Sequence, residues 1–217
     1  MVDDGKEKEW LRLVVAILFV VTVVGVFSYL FRDQPATAKL PGVSTVLKDS
    51  FERKAGLIES GKGNQVWSPI RGVWSVAAGA AFVSEPAPFF NVAVVDSGLN
   101  ASMKAAVSGR GFCGIVANYV DQKNFLSLVR VEQYGIWNLE LHRNGTAELI
   151  ATIGGTKNVM LRASIAVEAP IVTATVGDQH VSVSIPDLAL GTSAGLYAAD
   201  PNPSDCAFDD VVISRPN

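Results

Sequence analysis

Ile136-Trp137-Asn138-Leu139-Glu140-Leu141-His142-Arg143 is the stretch with the clearest secondary-structure pattern in this chain. Trp137, Leu139 and Leu141 alternate with Asn138, Glu140 and His142, which predicts a strand with one apolar and one polar face. Asn144-Gly145 follows, and this dipeptide favours the two-residue turn of a β-hairpin. The return strand is predicted at Ala147–Ile153.

Short strands separated by turn residues continue through most of the chain. The other predicted strands are Phe112–Tyr119, Phe125–Val131, Ile171–Val176, Val181–Ile185, Gly195–Ala198 and Ala207–Ser214. No stretch after Phe31 keeps the 3.6-residue period of an amphipathic helix over three turns. Short strands that follow one another closely, with no helices between them, are typical of a sandwich or barrel. We therefore predict an all-β sandwich.

The positive mean hydropathy of the chain comes mainly from one segment near its start. Leu13–Phe31 holds nineteen consecutive uncharged residues, enough for a helix to span a bilayer core. Trp10 and Tyr29 are placed as interfacial aromatic residues. The small residues Ala36-Thr37-Ala38 leave cleavage as a signal peptide open. We predict an uncleaved transmembrane helix, because the apolar run is longer than in a signal peptide.

This segment divides the chain into four parts. We predict a short cytoplasmic segment at residues 1–12, the membrane helix at 13–31, a Pro-containing tether at 32–43 and a β-sandwich at 44–217. Lys and Arg are nearly balanced on the two sides of the helix, so they do not set its orientation. The cysteine-containing β domain favours an extracytoplasmic location, periplasmic or extracellular. The 217-residue chain has a net charge of −3 and no Lys/Arg cluster, which argues against nucleic acid as a partner.

Three groups of residues resemble a known family. Asp49-Ser50-Phe51-Glu52-Arg53 with Trp67 and Gly72-Val73-Trp74-Ser75-Val76 resembles the opening of concanavalin A-like (laminin-G-like) jelly rolls in bacterial surface proteins. Gly114-Ile115-Val116-Ala117, Asp121-Gln122-Lys123-Asn124-Phe125 and Leu139-Glu140-Leu141 resemble the central strands. Gly195-Leu196-Tyr197 and Phe208-Asp209-Asp210-Val211 resemble the closing strands. The resemblance covers residues 44–214 and implies a jelly-roll sandwich. Its members include lectins, glucanases and structural modules, so it does not select a function.

Cys113 and Cys206 are the only cysteines, and both lie in the predicted β domain. Two cysteines in an extracytoplasmic domain favour one disulfide. Two buried free thiols are the alternative.

Catalytic chemistry has little support in the sequence. Glycoside hydrolysis needs two carboxylates on either side of the scissile bond, and the Glu-x-Asp-x-x-Glu strand of laminarinase-type glucanases is missing. Glu140 and His142 form a catalytic or binding pair, or else a solvated polar face; we favour the solvated face over catalysis. Asp209-Asp210 is interpreted as structural, and the two histidines His142 and His180 are too few for a zinc site. We therefore predict no enzyme activity, no metal and no cofactor.

Binding remains the leading hypothesis. Aromatic residues in or near loops are candidates for a binding rim, and polar residues on the predicted strand are candidates for its hydrogen bonds. These residues are Trp67, Phe89, Phe90, Tyr134, Asn138, Glu140 and His142.

The sequence is therefore interpreted as a membrane-anchored module that binds an envelope glycan or a protein. The bilayer itself is a partner through Leu13–Phe31. An accessory subunit of a larger membrane protein complex is the alternative, and a glycan-active hydrolase is the third possibility.

Overall fold

The computed structural model describes residues 42–60, 66–155, 160–200 and 202–216. The predicted membrane helix, its orientation and nearly all of the predicted tether lie outside these residues. Among the residues that are described, no helix has the length and apolar character needed to cross a bilayer. Gly42–Asn217 forms one compact unit.

The described part of this unit consists mainly of sixteen strands, joined by turns and by three single-turn 3-10 segments. The strands are β1 (Val43–Asp49), β2 (Gly56–Leu57), β3 (Ser68–Arg71), β4 (Val73–Ala77), β5 (Ala80–Glu85), β6 (Phe90–Asp96), β7 (Ser102–Ser108), β8 (Phe112–Asp121), β9 (Asn124–Val131), β10 (Ile136–Arg143), β11 (Thr146–Gly154), β12 (Leu161–Glu168), β13 (Ile171–Val176), β14 (Gln179–Ser184), β15 (Ser193–Ala199) and β16 (Ala207–Pro216). The 3-10 segments are Ile58–Ser60, Glu132–Tyr134 and Pro203–Asp205.

The strands form two antiparallel sheets. One has nine strands in the order β14-β13-β12-β7-β16-β5-β4-β2, with β1 also paired to β16. The other has seven strands in the order β11-β10-β9-β8-β15-β6-β3. The predicted all-β sandwich is confirmed.

The hairpin predicted from Asn144-Gly145 is confirmed as well. Strand β10 has the predicted bounds, and its partner β11 begins at Thr146. Both turn residues have positive φ, 52° for Asn144 and 84° for Gly145, which is the conformation that Asn-Gly adopts most readily.

The main core lies between the sheets. Its largest buried side chains include Trp74, Trp137, Phe51 and Phe208. Trp137, Leu139 and Leu141 face this core from β10, so the apolar positions of the strand are the inward-facing ones.

Cys113 and Cys206 form the predicted disulfide, with their Cα atoms 5.4 Å apart. The bond joins β8 of the seven-stranded sheet to the residue before β16 of the nine-stranded sheet. The disulfide therefore ties the two layers of the sandwich together.

Arg130 is buried on β9, one strand from Cys113, and its Nη1 donates to the carbonyl of Gly109 at 3.2 Å.

The register gives the sandwich two distinct ends. The chain enters at Val43, which pairs with Pro216, and we call this the proximal end. At the opposite, distal end, Phe90 and Phe112 both pair with Ala199, and Val131 pairs with Ile136. The loops at residues 86–89, 109–111 and 132–135, and the described residues 200 and 202–206, therefore lie at the distal end.

Candidate functional site

A strip of polar side chains runs along β10 on the outer face of the seven-stranded sheet. Thr152 Oγ1 donates to Asn138 Oδ1 at 3.3 Å, and Asn138 Nδ2 donates to Glu140 Oε1 at 3.5 Å. His142 Nε2 lies 3.7 Å from Glu140 Oε2 and 3.1 Å from Ser127 Oγ. These five residues, which we call the polar strip, bring together the three polar candidates predicted on this strand.

An aromatic cluster lies beside the polar strip on the same face. The ring centroids of Phe90, Phe125 and Tyr197 are 5.9–6.1 Å apart. Tyr119 lies 5.7 Å from Phe125. His142 stacks on Phe125 at 4.0 Å with an interplanar angle of 14°, so the imidazole connects the cluster to the strip.

This aromatic cluster belongs to a second apolar group, separate from the core between the sheets. Phe125 is buried and Tyr197 is 7% exposed, while Phe90 is half-buried. The outer face of this sheet therefore has an apolar floor with polar groups along one side.

Two glycines lie where neighbouring backbone approaches closely in this sheet. Gly114 on β8 and Gly195 on β15 lie in adjacent central strands. A Cβ atom would lie 2.2 Å from Leu128 O at Gly114, and 2.0 Å from Ala93 O at Gly195. Neither position therefore has room for a side chain.

The pKa values of the two buried tyrosines on this face are raised. Burial is the main cause that raises the pKa of Tyr197 above its ordinary value, and the nearby charge of Glu140 adds to it. Burial and then the charge of Asp121 raise the pKa of Tyr119 to about 12. At neutral pH both groups keep their protons and can act as hydrogen-bond donors.

A pocket of about 160 Å³ adjoins the polar strip at the proximal end. His142 and Phe125 line one side, and Asn144, Asp187 and Leu188 are among its other lining residues. The loop that carries Asp187 and Leu188 connects β14 to β15 and closes this end of the outer face.

Asn118 holds that loop in place. Its Oδ1 accepts a hydrogen bond from Gly191 N at 2.8 Å, and its Nδ2 donates to Ala189 O. Asn118 has a φ of 51° and lies in an irregular part of β8, where the pairing with β9 shifts. The pocket wall is therefore built by a side chain that the sequence does not mark as functional.

The aromatic candidates predicted from sequence lie in three different places. Phe90 joins the aromatic cluster on the outer face. Phe89 and Tyr134 are 74% and 64% exposed, and both lie in loops at the distal end.

Trp67 was expected at an exposed rim, and the structure corrects this. The side chain is only 2% exposed and packs in the main core with its ring 6.0 Å from Phe51. Its Nε1 donates to Asp49 Oδ2 at 3.0 Å. A tryptophan can therefore lie near a loop in the sequence and still be buried, since Asp49 satisfies its only polar atom.

Phe125, Ser127 and Tyr197 belong to the face but were missed as site residues. Pairing of β9 with β10 places Ser127 opposite Glu140 and Phe125 opposite His142. The alternation of side chains in the predicted strand Phe125–Val131 could have indicated that Phe125 and Ser127 lie on one face. Tyr197 becomes a neighbour only through the order of strands β9-β8-β15, which single-strand patterns do not contain.

Within the described ranges, no three His, Cys, Asp or Glu side chains are grouped so that they could hold a metal ion. Asp210 pairs with Arg162 at 2.6 Å on the surface, and Asp209 Oδ1 accepts from the backbone N of Asp210. The contacts of this acidic pair are therefore structural ones.

The architecture defines the class: a two-sheet antiparallel β-sandwich that is jelly-roll-like. Neither a family model nor a curated protein sequence matches the chain. Among solved structures, the carbohydrate-binding module CBM66 from Bacillus subtilis is similar, with a TM-score of 0.56 and 15% identity over 67% of this chain and 92% of that one.

Two further structures have the same type of fold. A Bacillus subtilis protein of unknown function with a galectin-like fold gives a TM-score of 0.56 and 11% identity, covering 82% of this chain and 99% of that one. The β-glucanase of Bacillus licheniformis gives 0.50 and 9%, covering 74% and 97%. At these identities the similarity establishes the fold, and the site must be argued from its own residues.

Proposed function

We propose that this protein is a membrane-anchored, non-catalytic module that binds an envelope glycan on the outer face of the seven-stranded sheet. The observation that carries the proposal is the polar strip lying directly beside the aromatic cluster. Asn138, Glu140 and His142 are the proposed hydrogen-bonding residues, and the half-buried Phe90 provides the apolar surface, with Tyr197 packed against it.

The chemistry of the face suits a carbohydrate. A sugar ring presents hydroxyl groups at its edge and C–H groups on its faces. The strip offers amide, carboxylate, imidazole and hydroxyl groups that both donate and accept hydrogen bonds. An apolar floor with a few convergent polar groups is the usual composition of a small-ligand site.

The comparisons are consistent with a glycan ligand at a coarse level. One similar structure is named as a carbohydrate-binding module and another as a β-glucanase. Because the second is a hydrolase by name, the choice between binding and catalysis rests on the residues of this chain.

The number of carboxylates in the polar strip favours binding. Hydrolysis requires two carboxyl groups about 5–10 Å apart. Glu140 is the single carboxylate of the strip, and its side-chain neighbours there are Asn138 and His142. The disulfide supports an extracytoplasmic location, since such bonds persist in oxidising compartments.

The test is retention of the full-length chain on immobilised cell-wall polysaccharides, followed by affinity measurements on the polymer that retains it. Glu140→Gln and His142→Ala should each weaken binding about tenfold or more, because the first removes the charge of the carboxylate acceptor and the second removes the imidazole. His180→Ala is the matched control: His180 is the other histidine of the chain and is exposed on β14 of the nine-stranded sheet.

Retention with the expected loss in the two strip variants, and none in His180→Ala, would support the proposal. Retention by no polymer, or equal affinity for all three variants, would contradict it. Released reducing ends in the same incubations would contradict the non-catalytic part.

A further inference from the structure

Phe89 is held in an unusual conformation at the distal end. It lies in the loop between β5 and β6, and its side chain is 74% exposed. Its φ is 71°, in the left-handed region that bulky side chains disfavour. Neither apolar cluster of the described residues includes its ring.

Four hydrogen-bonding groups fix the backbone of this loop. Phe89 N donates to Asp200 Oδ2 at 3.0 Å, and Asp200 N donates to Phe89 O at 3.0 Å. Arg71 Nη2 donates to Pro88 O at 2.7 Å, and its Nε donates to Phe90 O at 3.0 Å. The loop is therefore rigidly braced on both sides of the exposed ring.

The buried side chain of Asn91 also holds this loop. Asn91 is fully buried, accepts a hydrogen bond from Ala87 N at 2.7 Å and donates to Ala198 O at 3.2 Å. The Arg71 guanidinium also lies over the Phe90 ring at 5.0 Å. The loop thus connects to the sheet through several independent contacts.

Both features of Phe89 work against the stability of the isolated domain. A left-handed conformation at a residue other than Gly, Asn or Asp costs on the order of 1 kcal/mol, and an exposed phenyl ring gains nothing from burial. Strain of this kind is concentrated at functional positions. Because the backbone here is already held in one conformation, little backbone entropy is lost on binding, and an exposed aromatic side chain on such a backbone is suited to anchor an interface.

We propose that Phe89 is the anchor of a protein-docking site at the distal end, and that it inserts into an apolar socket lined by basic residues on a partner protein. The segment Pro86-Ala87-Pro88-Phe89 carries no polar side chain, so its tip is apolar. Two exposed carboxylates adjoin this segment: Glu85 precedes it in the chain, and Asp200 accepts a hydrogen bond from Phe89 N. Against the one cation beside the loop, Arg71, they favour a partner surface that carries basic residues.

A glycan or a lipid surface is a less suitable partner for the exposed Phe89 side chain. The polar side chains next to the ring, Arg71, Asn91 and Asp200, are engaged with the loop backbone, whereas sugar recognition needs polar groups beside the aromatic surface. The same carboxylates would repel the anionic headgroups of a membrane. The loop also lies at the end of the sandwich opposite Val43.

The experiment uses the full-length chain in cells that produce it naturally. Phe89→p-benzoylphenylalanine keeps an aromatic ring at the tip and forms a covalent adduct with whatever contacts it under ultraviolet light. Leu99→p-benzoylphenylalanine is the matched control, because Leu99 is 49% exposed in the loop between β6 and β7 at the proximal end. We expect one discrete protein adduct at position 89 and none of the same mass at position 99.

The adduct protein, once identified and purified, is then titrated against the full-length chain. Phe89→Asn should weaken its binding at least about tenfold, the range of an interface hot spot, and Leu99→Asn should leave it unchanged. Asn tolerates the left-handed conformation, so Phe89→Asn should fold at least as stably as the native chain. Its retention on polysaccharide should also be unchanged.

Four results would overturn the proposal. These are an adduct with a lipid or a glycan, labelling at 89 no stronger than at 99, undiminished partner affinity in Phe89→Asn, and loss of stability in that variant. The last result would make Phe89 a structural residue.

Discussion

The candidate site residues differ in how far the sequence alone could place them. Asn138, Glu140 and His142 could be assigned to one polar face because alternation on a strand fixes which side chains lie together. Trp67 could not be assigned correctly, because its burial depends on Asp49, eighteen positions away, accepting its Nε1 hydrogen. Tyr197 joins the site through strand order, which no local pattern contains.

Gly114 gives a stability prediction at this scale. Gly114→Ala should lower the free energy of unfolding by about 2 kcal/mol or more, because the new Cβ would meet the backbone of Leu128 and Val129. Urea denaturation of the full-length chain measures the effect. Gly154→Ala is the control, because a Cβ there meets only the flexible Gln179 side chain, and its effect should stay below about 1 kcal/mol. Equal effects at the two positions would show that the close approach at Gly114 is unimportant.

Among the elements, hairpins were predictable and long-range pairings were not. Strands β10 and β13 have the predicted bounds, since turn residues mark both ends of each. The pairing of β16 with β5, β7 and β1 has no such signal. That arrangement depends on a register shift between Asp209 and Val212, next to Asp210 with its φ of 49°.

The connection from β14 to β15 depends on one side chain. Asn118→Gly keeps the positive φ accessible but removes both hydrogen bonds to the loop, so it should lower the free energy of unfolding by about 2 kcal/mol. Asn118→Ala should cost about 1 kcal/mol more, because alanine adds strain at that φ. Urea denaturation gives both values, and faster hydrogen exchange at Gly191 N would locate the change. A glycine variant as stable as the native chain would contradict this role.

At the largest scale, the β unit Gly42–Asn217 consists of two layers joined by a covalent bond across 93 positions of sequence. The fold class was predicted from the succession of short strands without helices, and the disulfide from the presence of only two cysteines in the β domain. The ligand was not, because the same sandwich serves proteins of different function.

The disulfide gives the prediction that belongs to this scale. The double variant Cys113→Ala/Cys206→Ala should lose about 2–5 kcal/mol of unfolding free energy, since the loop it closes is long. Denaturation with and without reductant measures this. Reductant should weaken the native chain and leave the double variant unchanged, whereas no effect of reductant on the native chain would contradict the prediction.

The most direct test of the proposed glycan site is where a bound sugar lies. An oligosaccharide from whichever polymer retains the chain can be titrated into isotope-labelled protein while amide and imidazole resonances are followed. The outer-face proposal predicts that the largest shifts fall on the His142 ring, the Asn138 side-chain amide and the backbone of β9 and β10, with His180 unaffected. Shifts concentrated on β13 and β14, or at the distal loops, would contradict it.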